Sequence, residues 1–216
     1  MKKQGDAVAI PEIRPGQSIE LLKELHILTR DGKLNQDTRR KLKQVHHLCQ
    51  FIEPLLAGAQ TLADHGAGKS YLGFILYDLY RKERATGEII GIESRPELVA
   101  KSRELAARLG FSRMRFLACT VAESLASPDL PDRVDVVTAL HACDTATDDA
   151  IRFALAKDAQ HRGGGGGCQA EVAAALRAGK REALAKTAFA ELWRHPLHTR
   201  ELGSLLTNVL RCLLLE

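Results

Sequence analysis

Seven consecutive residues, Asp64-His65-Gly66-Ala67-Gly68-Lys69-Ser70, carry the densest chemical signal in the chain. Gly66 and Gly68 let backbone come close to a ligand, and the helical pattern that follows, SYLGFILYDLY, offers unpaired N–H groups at its start. Three loop patterns compete for these residues. A Walker-type phosphate loop needs GxxxxGK[ST]; Gly68-Lys69-Ser70 supplies its end, but Ala63 stands at the first glycine position. A dinucleotide loop needs GxGxxG; Gly66 and Gly68 fit, and Tyr71 stands at the third. The third pattern, an acid followed by x-Gly-x-Gly, is met in full at Asp64, Gly66 and Gly68.

A second acid separates the three. The apolar run EIIGIE ends at Glu93, where a ribose would lie at the carboxyl edge of a doubly wound sheet. A carboxylate accepts two hydroxyl protons, which suits an adenosyl ribose and suits a nucleotide 2′-phosphate badly. A phosphate-loop protein needs instead a later acid to organise magnesium. Asp135 is the natural candidate, and it starts its strand rather than ending it. This reading favours S-adenosylmethionine over a nucleoside triphosphate or a dinucleotide.

Methyl transfer from a sulfonium needs an acceptor held in line and, where necessary, relieved of a proton. His141, directly after the strand pattern VDVVTAL, has the position of a general base, with Cys143 and Asp144 beside it. A histidine closing the sheet edge, a small buried thiol and a helix-capping aspartate are the structural readings of the same three residues. His195 and His198, with Arg200 behind them in WRHPLHTRE, form a candidate substrate rim. No set of four ligands at zinc spacing exists, so no metal site is expected.

The run LADHGAGKSYLGFILYDL, then GEIIGIESRPELV, RFLACTVAES and VDVVTALHACDTATDDAI, resembles the class I S-adenosylmethionine-dependent methyltransferases. More narrowly, it is similar to bacterial relatives of the methyltransferase-25-like group, from about residue 35 onward. The resemblance implies a Rossmann-like sheet with the cofactor at the carboxyl ends of its first four strands. It implies that Asp64, Gly66 and Gly68, with Ala67 between them, face the methionine end, and that Glu93, with Ser94 beside it, faces the ribose. Val121 and Ala122 with Glu123 would flank the adenine, and Leu140 and His141 would line the floor near the methyl group. Where relatives carry an apolar strand ending in Pro-Cys-Cys-Gln, this chain has Gly167-Cys168-Gln169.

The elements that must position these residues follow from periodicity. SIELLKELHIL predicts a helix capped by Ser18, and a second helix starts near Asp37 or Thr38 with Leu42, Val45, Leu48, Cys49 and Ile52 on its apolar face. Arg39, Arg40, Lys41 and Lys43 mark the opposite face, which reads first as a solvated surface and second as a phosphate contact. From Thr61 on, short apolar runs alternate with helical patterns, the signature of βαβ units and a parallel sheet. Residues 1–58 are therefore read as a helical extension and 59–216 as an α/β doubly wound domain, which the resemblance implies is a Rossmann-like methyltransferase domain lacking its last strands. Gly163 to Gly167 are read as a linker, because five glycines bring no side chains to a core and carry a large ordering entropy.

Composition narrows the functions. At 45% hydrophobic and 27% charged the chain is neither a disordered tail nor a fibre. Aromatics at 5% argue against a single-strand binder built on stacked rings, while a net charge of +4 permits an anionic acceptor such as RNA. A small molecule or a protein is open as methyl acceptor as well. The absence of a long apolar window and of a signal-peptide pattern, together with an odd number of scattered cysteines, points to a cytoplasmic protein with reduced thiols and no membrane partner. A phosphate-loop nucleotide switch and a cofactor-binding scaffold without turnover are the competing readings.

Overall fold

The structure, a computed structural model, describes residues 11–139, 145–164 and 195–215. Five parallel strands form one sheet: β1 (Thr61–His65), β2 (Glu88–Glu93), β3 (Met114–Ala118), β4 (Val136–Ala139) and β5 (His161–Gly164), in spatial order β3-β2-β1-β4-β5. Strand order reverses between β1 and β4, which opens a crevice at their carboxyl ends, the place where doubly wound sheets bind ligands.

Helices cover both faces. On one side lie α1 (Ile19–Glu24), α2 (Gln36–Ile52), a short 3₁₀ turn (Leu55–Ala57), α3 (Tyr71–Leu76) and α4 (Pro96–Arg108). Leu22, Leu42, Val45, Cys49 and Leu56 share one core there with Leu62, Phe74, Ile89 and Phe116. The helices of residues 19–57 thus pack into the same apolar mass as the sheet. The other face carries Ala63, Ile90, Ile92 and Val137 against Phe153 and Ala154 of α6 (Thr145–Ala156). Alternate residues of each central strand supply the two cores, so the strands carry apolar residues on both faces, as expected of a sheet covered twice.

Local sequence explains most element ends. Asn35 and Thr38 make a reciprocal capping box that starts α2. Pro96 opens α4 and Gly110, at φ +69°, follows its end. On α2, Leu42, Val45, Cys49 and Ile52 are buried while the basic residues stay exposed, Arg39 pairing with Glu12 at 3.1 Å.

Three expectations need correction. The first helix stops at Glu24, because His26 turns left-handed at φ +54° and sends Ile27 and Leu28 back into the core, their N–H groups donating to Leu22 O. The helix after the glycine loop widens to a π-turn over Tyr77–Arg81, where the buried Asp78 accepts from Ser18 N at 2.7 Å. The third concerns the glycine run: Gly163 and Gly164 belong to β5, in register with Thr138 and Ala139. A ladder needs only backbone donors and acceptors, and β4 presents a free row of them, so missing side chains weaken this strand without preventing it. Residues 165–167 lie outside the described residues. The last helix, α7 (Pro196–Leu215), like every other described helix, is not long and apolar enough to cross a membrane.

Candidate functional site

The loop between β1 and α3 bends sharply. Gly66 (φ +61°), Gly68 (φ +58°) and Ser70 (φ +53°) all adopt the left-handed conformation, at little cost for the glycines and about 1 kcal/mol for the serine. The loop is tied down by Ala67 N donating to Ile92 O at 3.1 Å, Ser70 N to Ala67 O at 2.7 Å and Gly68 N to the Glu93 carboxylate at 2.8 Å. Ser70 Oγ is buried beside two further glycines; a Cβ on Gly73 would stand 2.8 Å from it and one on Gly91 3.5 Å. Those two glycines make room for the turn.

Both predicted acids lie on one face of the sheet. Asp64 is in register with Gly91, and Glu93 follows Gly91 by two residues, so the pleat turns them the same way. Strand geometry puts their Cα atoms about 8 Å apart. Their environments differ sharply. Asp64 is buried and accepts from Thr138 Oγ1 at 2.8 Å, and burial pushes its pKa up to about 7 against that hydrogen bond. Glu93 is held down to about 2, first by the Arg95 side chain and then, against burial, by the N–H groups of Arg95 and Gly68. One face of the crevice thus sets a carboxyl that titrates near neutrality beside a permanent anion.

Beyond β3, Cys119 N donates to Glu93 O at 3.2 Å, bringing the next turn alongside the second strand's end. Thr120 then caps α5 (Val121–Leu125). Val121 packs on the second core, while Ala122 and Glu123 are exposed. The Glu123 carboxylate accepts from Thr120 N at 2.7 Å and Thr120 Oγ1 at 2.8 Å, so its oxygens serve the helix start. Ser94 is exposed, its hydroxyl 3.4 Å from Glu93 Oε1.

Among the other candidates, Leu140, His141, Cys143 and Asp144 lie outside the described residues, directly after β4. His195 and His198 pack ring against ring at 5.2 Å at the start of α7, the helix that also holds Arg200. His65 points to the opposite face from Asp64, where it packs edge-on against Phe153 at 4.2 Å; burial lowers its pKa to about 4. Magnesium chemistry has no support at Asp135, whose carboxylate accepts from Gln60 N at 2.7 Å and Thr61 N at 3.0 Å at the amino edge of the sheet. Lys69 is exposed and lines a cleft of about 280 Å³ with Glu24, His26, Lys101 and Arg108 of α1, its following turn and α4. Among the described residues no group of three His, Cys, Asp or Glu side chains could hold a metal, and Cys49, Cys119 and Cys212 are unbridged.

Sequence reasoning missed Thr138, Arg95 and the left-handed turn at Ser70. A lone hydroxyl inside VDVVTAL was a signal for the first. The left-handed turn at Ser70 is set by packing around its buried hydroxyl, which no local pattern records, whereas Arg95 lies two residues after Glu93, within reach of a local reading.

Residues 40–175, more than half of the chain, match the family model described as a methyltransferase domain. No curated protein matches the sequence. Among solved structures, an inferred O-methyltransferase from Klebsiella pneumoniae is 17% identical over 67% of this chain and 62% of its own, with a TM-score of 0.48. An inferred methyltransferase from Escherichia coli is 16% identical over 53% of this chain and 61% of its own, at 0.43. An rRNA methylase from Streptococcus thermophilus is 12% identical over 52% and 63%, also at 0.43. The chain therefore spans about three fifths of the length of these structures.

Proposed function

The chain belongs to the methyltransferase-domain family, a class I, S-adenosylmethionine-dependent group, and from that premise we propose that Glu93 and the loop Gly66–Gly68 seat the nucleoside half of the cofactor, with Asp64 toward its methionine half. The observation that carries this reading is the 2.8 Å hydrogen bond from Gly68 N to Glu93 Oε2. It joins the two sequence features expected to bind ribose and backbone-contacting atoms, 25 residues apart in the chain, at one point of the crevice.

The residues fit the group. A Cβ on Gly68 would stand at ordinary contact distance, 3.8 Å from Arg95 Nη2 and 3.9 Å from Gly66 O, so the positive φ, rather than crowding, calls for glycine. An ionised Glu93 accepts from a vicinal diol once the exposed Arg95 side chain, which now occupies both its oxygens, gives way. Bound there, S-adenosylmethionine supplies an electrophilic sulfonium methyl. The chain's own part is to orient the acceptor in line with that methyl and, where the acceptor carries a proton, to remove it. His141, two residues past the end of β4, is assigned the base, with Cys143 and Asp144 as neighbours and Leu140 as floor. Val121 and Ala122 are assigned the adenine side, with Glu123 holding their helix, and His195, His198 and Arg200 the acceptor rim. The acceptor class is left among RNA, a protein and a small molecule, in a cytoplasmic setting.

Calorimetric titration with S-adenosylhomocysteine tests the site. Glu93→Ala removes a charged acceptor, and binding should weaken by about 10- to 150-fold, equivalent to about 1.5–3 kcal/mol. Undiminished affinity in that variant would remove Glu93 from the site.

A further inference from the structure

The Glu93 carboxylate is already saturated by its own neighbours. Oε1 accepts from Arg95 N at 3.1 Å, from Arg95 Nε at 2.8 Å and, at the longest reach, from Ser94 Oγ at 3.4 Å. Oε2 accepts from Gly68 N at 2.8 Å and from Arg95 Nη2 at 3.2 Å. A carboxylate has about four lone-pair sites, so a ligand's two hydroxyls find none free. The backbone donors of Gly68 and Arg95 are fixed by the glycine loop and by the start of α4. The guanidinium is different: the Arg95 side chain is 59% exposed, while that of Glu93 is 7% exposed, so it can leave without disturbing any packing.

The shape of the contact is informative. Nε and Nη2 of one guanidinium present two parallel N–H groups, one to each carboxylate oxygen, which is the arrangement a vicinal diol makes with two O–H groups. Nη2 also lies 3.8 Å from where a Gly68 Cβ would stand, against the loop a nucleoside must approach. We propose that Arg95 is a latch on the nucleoside site: its fork and the ribose diol compete for the same two oxygens of Glu93, so that cofactor affinity is set by how readily the arginine swings out. This rests on the assignment of Glu93 to ribose. Arg95 is a positioning residue and takes no part in methyl transfer.

Competition of this kind lowers apparent affinity by the fraction of molecules with the latch open. The guanidinium side of the pair faces solvent and is screened there, so the effect is on the order of two- to fivefold. The experiment titrates the full chain with S-adenosylhomocysteine at low and high sodium chloride, comparing wild type, Arg95→Met, Arg95→Lys and Glu93→Ala, each checked for folding by circular dichroism. Arg95→Met keeps the stem and removes the fork, and should bind about two- to fivefold more tightly than wild type. Arg95→Lys, with a single point charge in place of the fork, should fall between them. Salt screens the exposed guanidinium, so wild-type affinity should rise with salt while that of Arg95→Met stays level. Equal or weaker binding by Arg95→Met, with Glu93→Ala still defective, overturns the latch and leaves the ribose assignment standing. Normal binding by Glu93→Ala overturns both.

Discussion

Changing Asp64 to asparagine should abolish a pH dependence that this one carboxyl imposes on folding. Asp64 is 2% exposed and sits beneath the glycine loop with Thr138 Oγ1 as hydrogen-bond donor. Burial raises its pKa from 3.8 to about 7 in the folded chain, whereas in the unfolded chain it titrates normally. Between those two values the folded state holds a proton that the unfolded state has released. Stability contributed by Asp64 is therefore full below about pH 4, drains away as pH rises through about 7, and is level above that. The shift corresponds to at most about 4 kcal/mol, and relaxation around the charged form brings it to about 2 kcal/mol. Asparagine keeps an oxygen for Thr138 and does not titrate. Urea unfolding of both proteins should show the variant gaining about 2–4 kcal/mol over wild type between about pH 4 and about pH 8, with other groups cancelling in the difference. A difference that stays constant across that range would show that Asp64 is not a buried, proton-holding carboxyl, and the contrast drawn between the two acids of the crevice would fall with it.

Thr138→Val removes the donor to Asp64 and should cost about 1–3 kcal/mol, more above neutrality than below, since the charged carboxylate loses the most. Denaturant unfolding at two pH values reads this, and an equal loss at both would contradict it. Gly87→Ala combines a left-handed φ of +88° with a Cβ that would collide with the Arg81 guanidinium, which is buried and bonded to Ala59 O at 2.6 Å. Gly16→Ala, at φ +82° with open space around it, carries the strain alone. Thermal unfolding should therefore show about 1 kcal/mol lost at Gly16 and at least about 2 kcal/mol at Gly87; similar losses would mean that Arg81 yields to the added methyl.

Local patterns went far with this chain. Alternation of apolar runs and helical spacing located β1 to β4 and the helices between them, because a strand covered on both faces must be apolar throughout and an outer helix must show one apolar stripe. Ser18, Pro96 and Gly110 marked helix ends by chemistry that acts within a few residues. The glycine loop and the acids at the ends of β1 and β2 were legible for the same reason: backbone conformation and strand termination are local properties.

What the acids do to their surroundings was not legible. Only the fold places Thr138 of β4 against Asp64 of β1, 74 residues earlier, and only burial beneath the loop then lifts that carboxyl toward neutrality. Only the fold lays the Gly68 N–H, 25 residues earlier in the chain, on the Glu93 carboxylate that the neighbouring Arg95 fork also grips. The glycines of β5 look like a linker when judged by side chains, and become a strand because β4 offers backbone partners that no local pattern records. Propensity and periodicity describe what a segment can be; hydrogen-bond partners, dielectric and charge state depend on which distant segment arrives beside it.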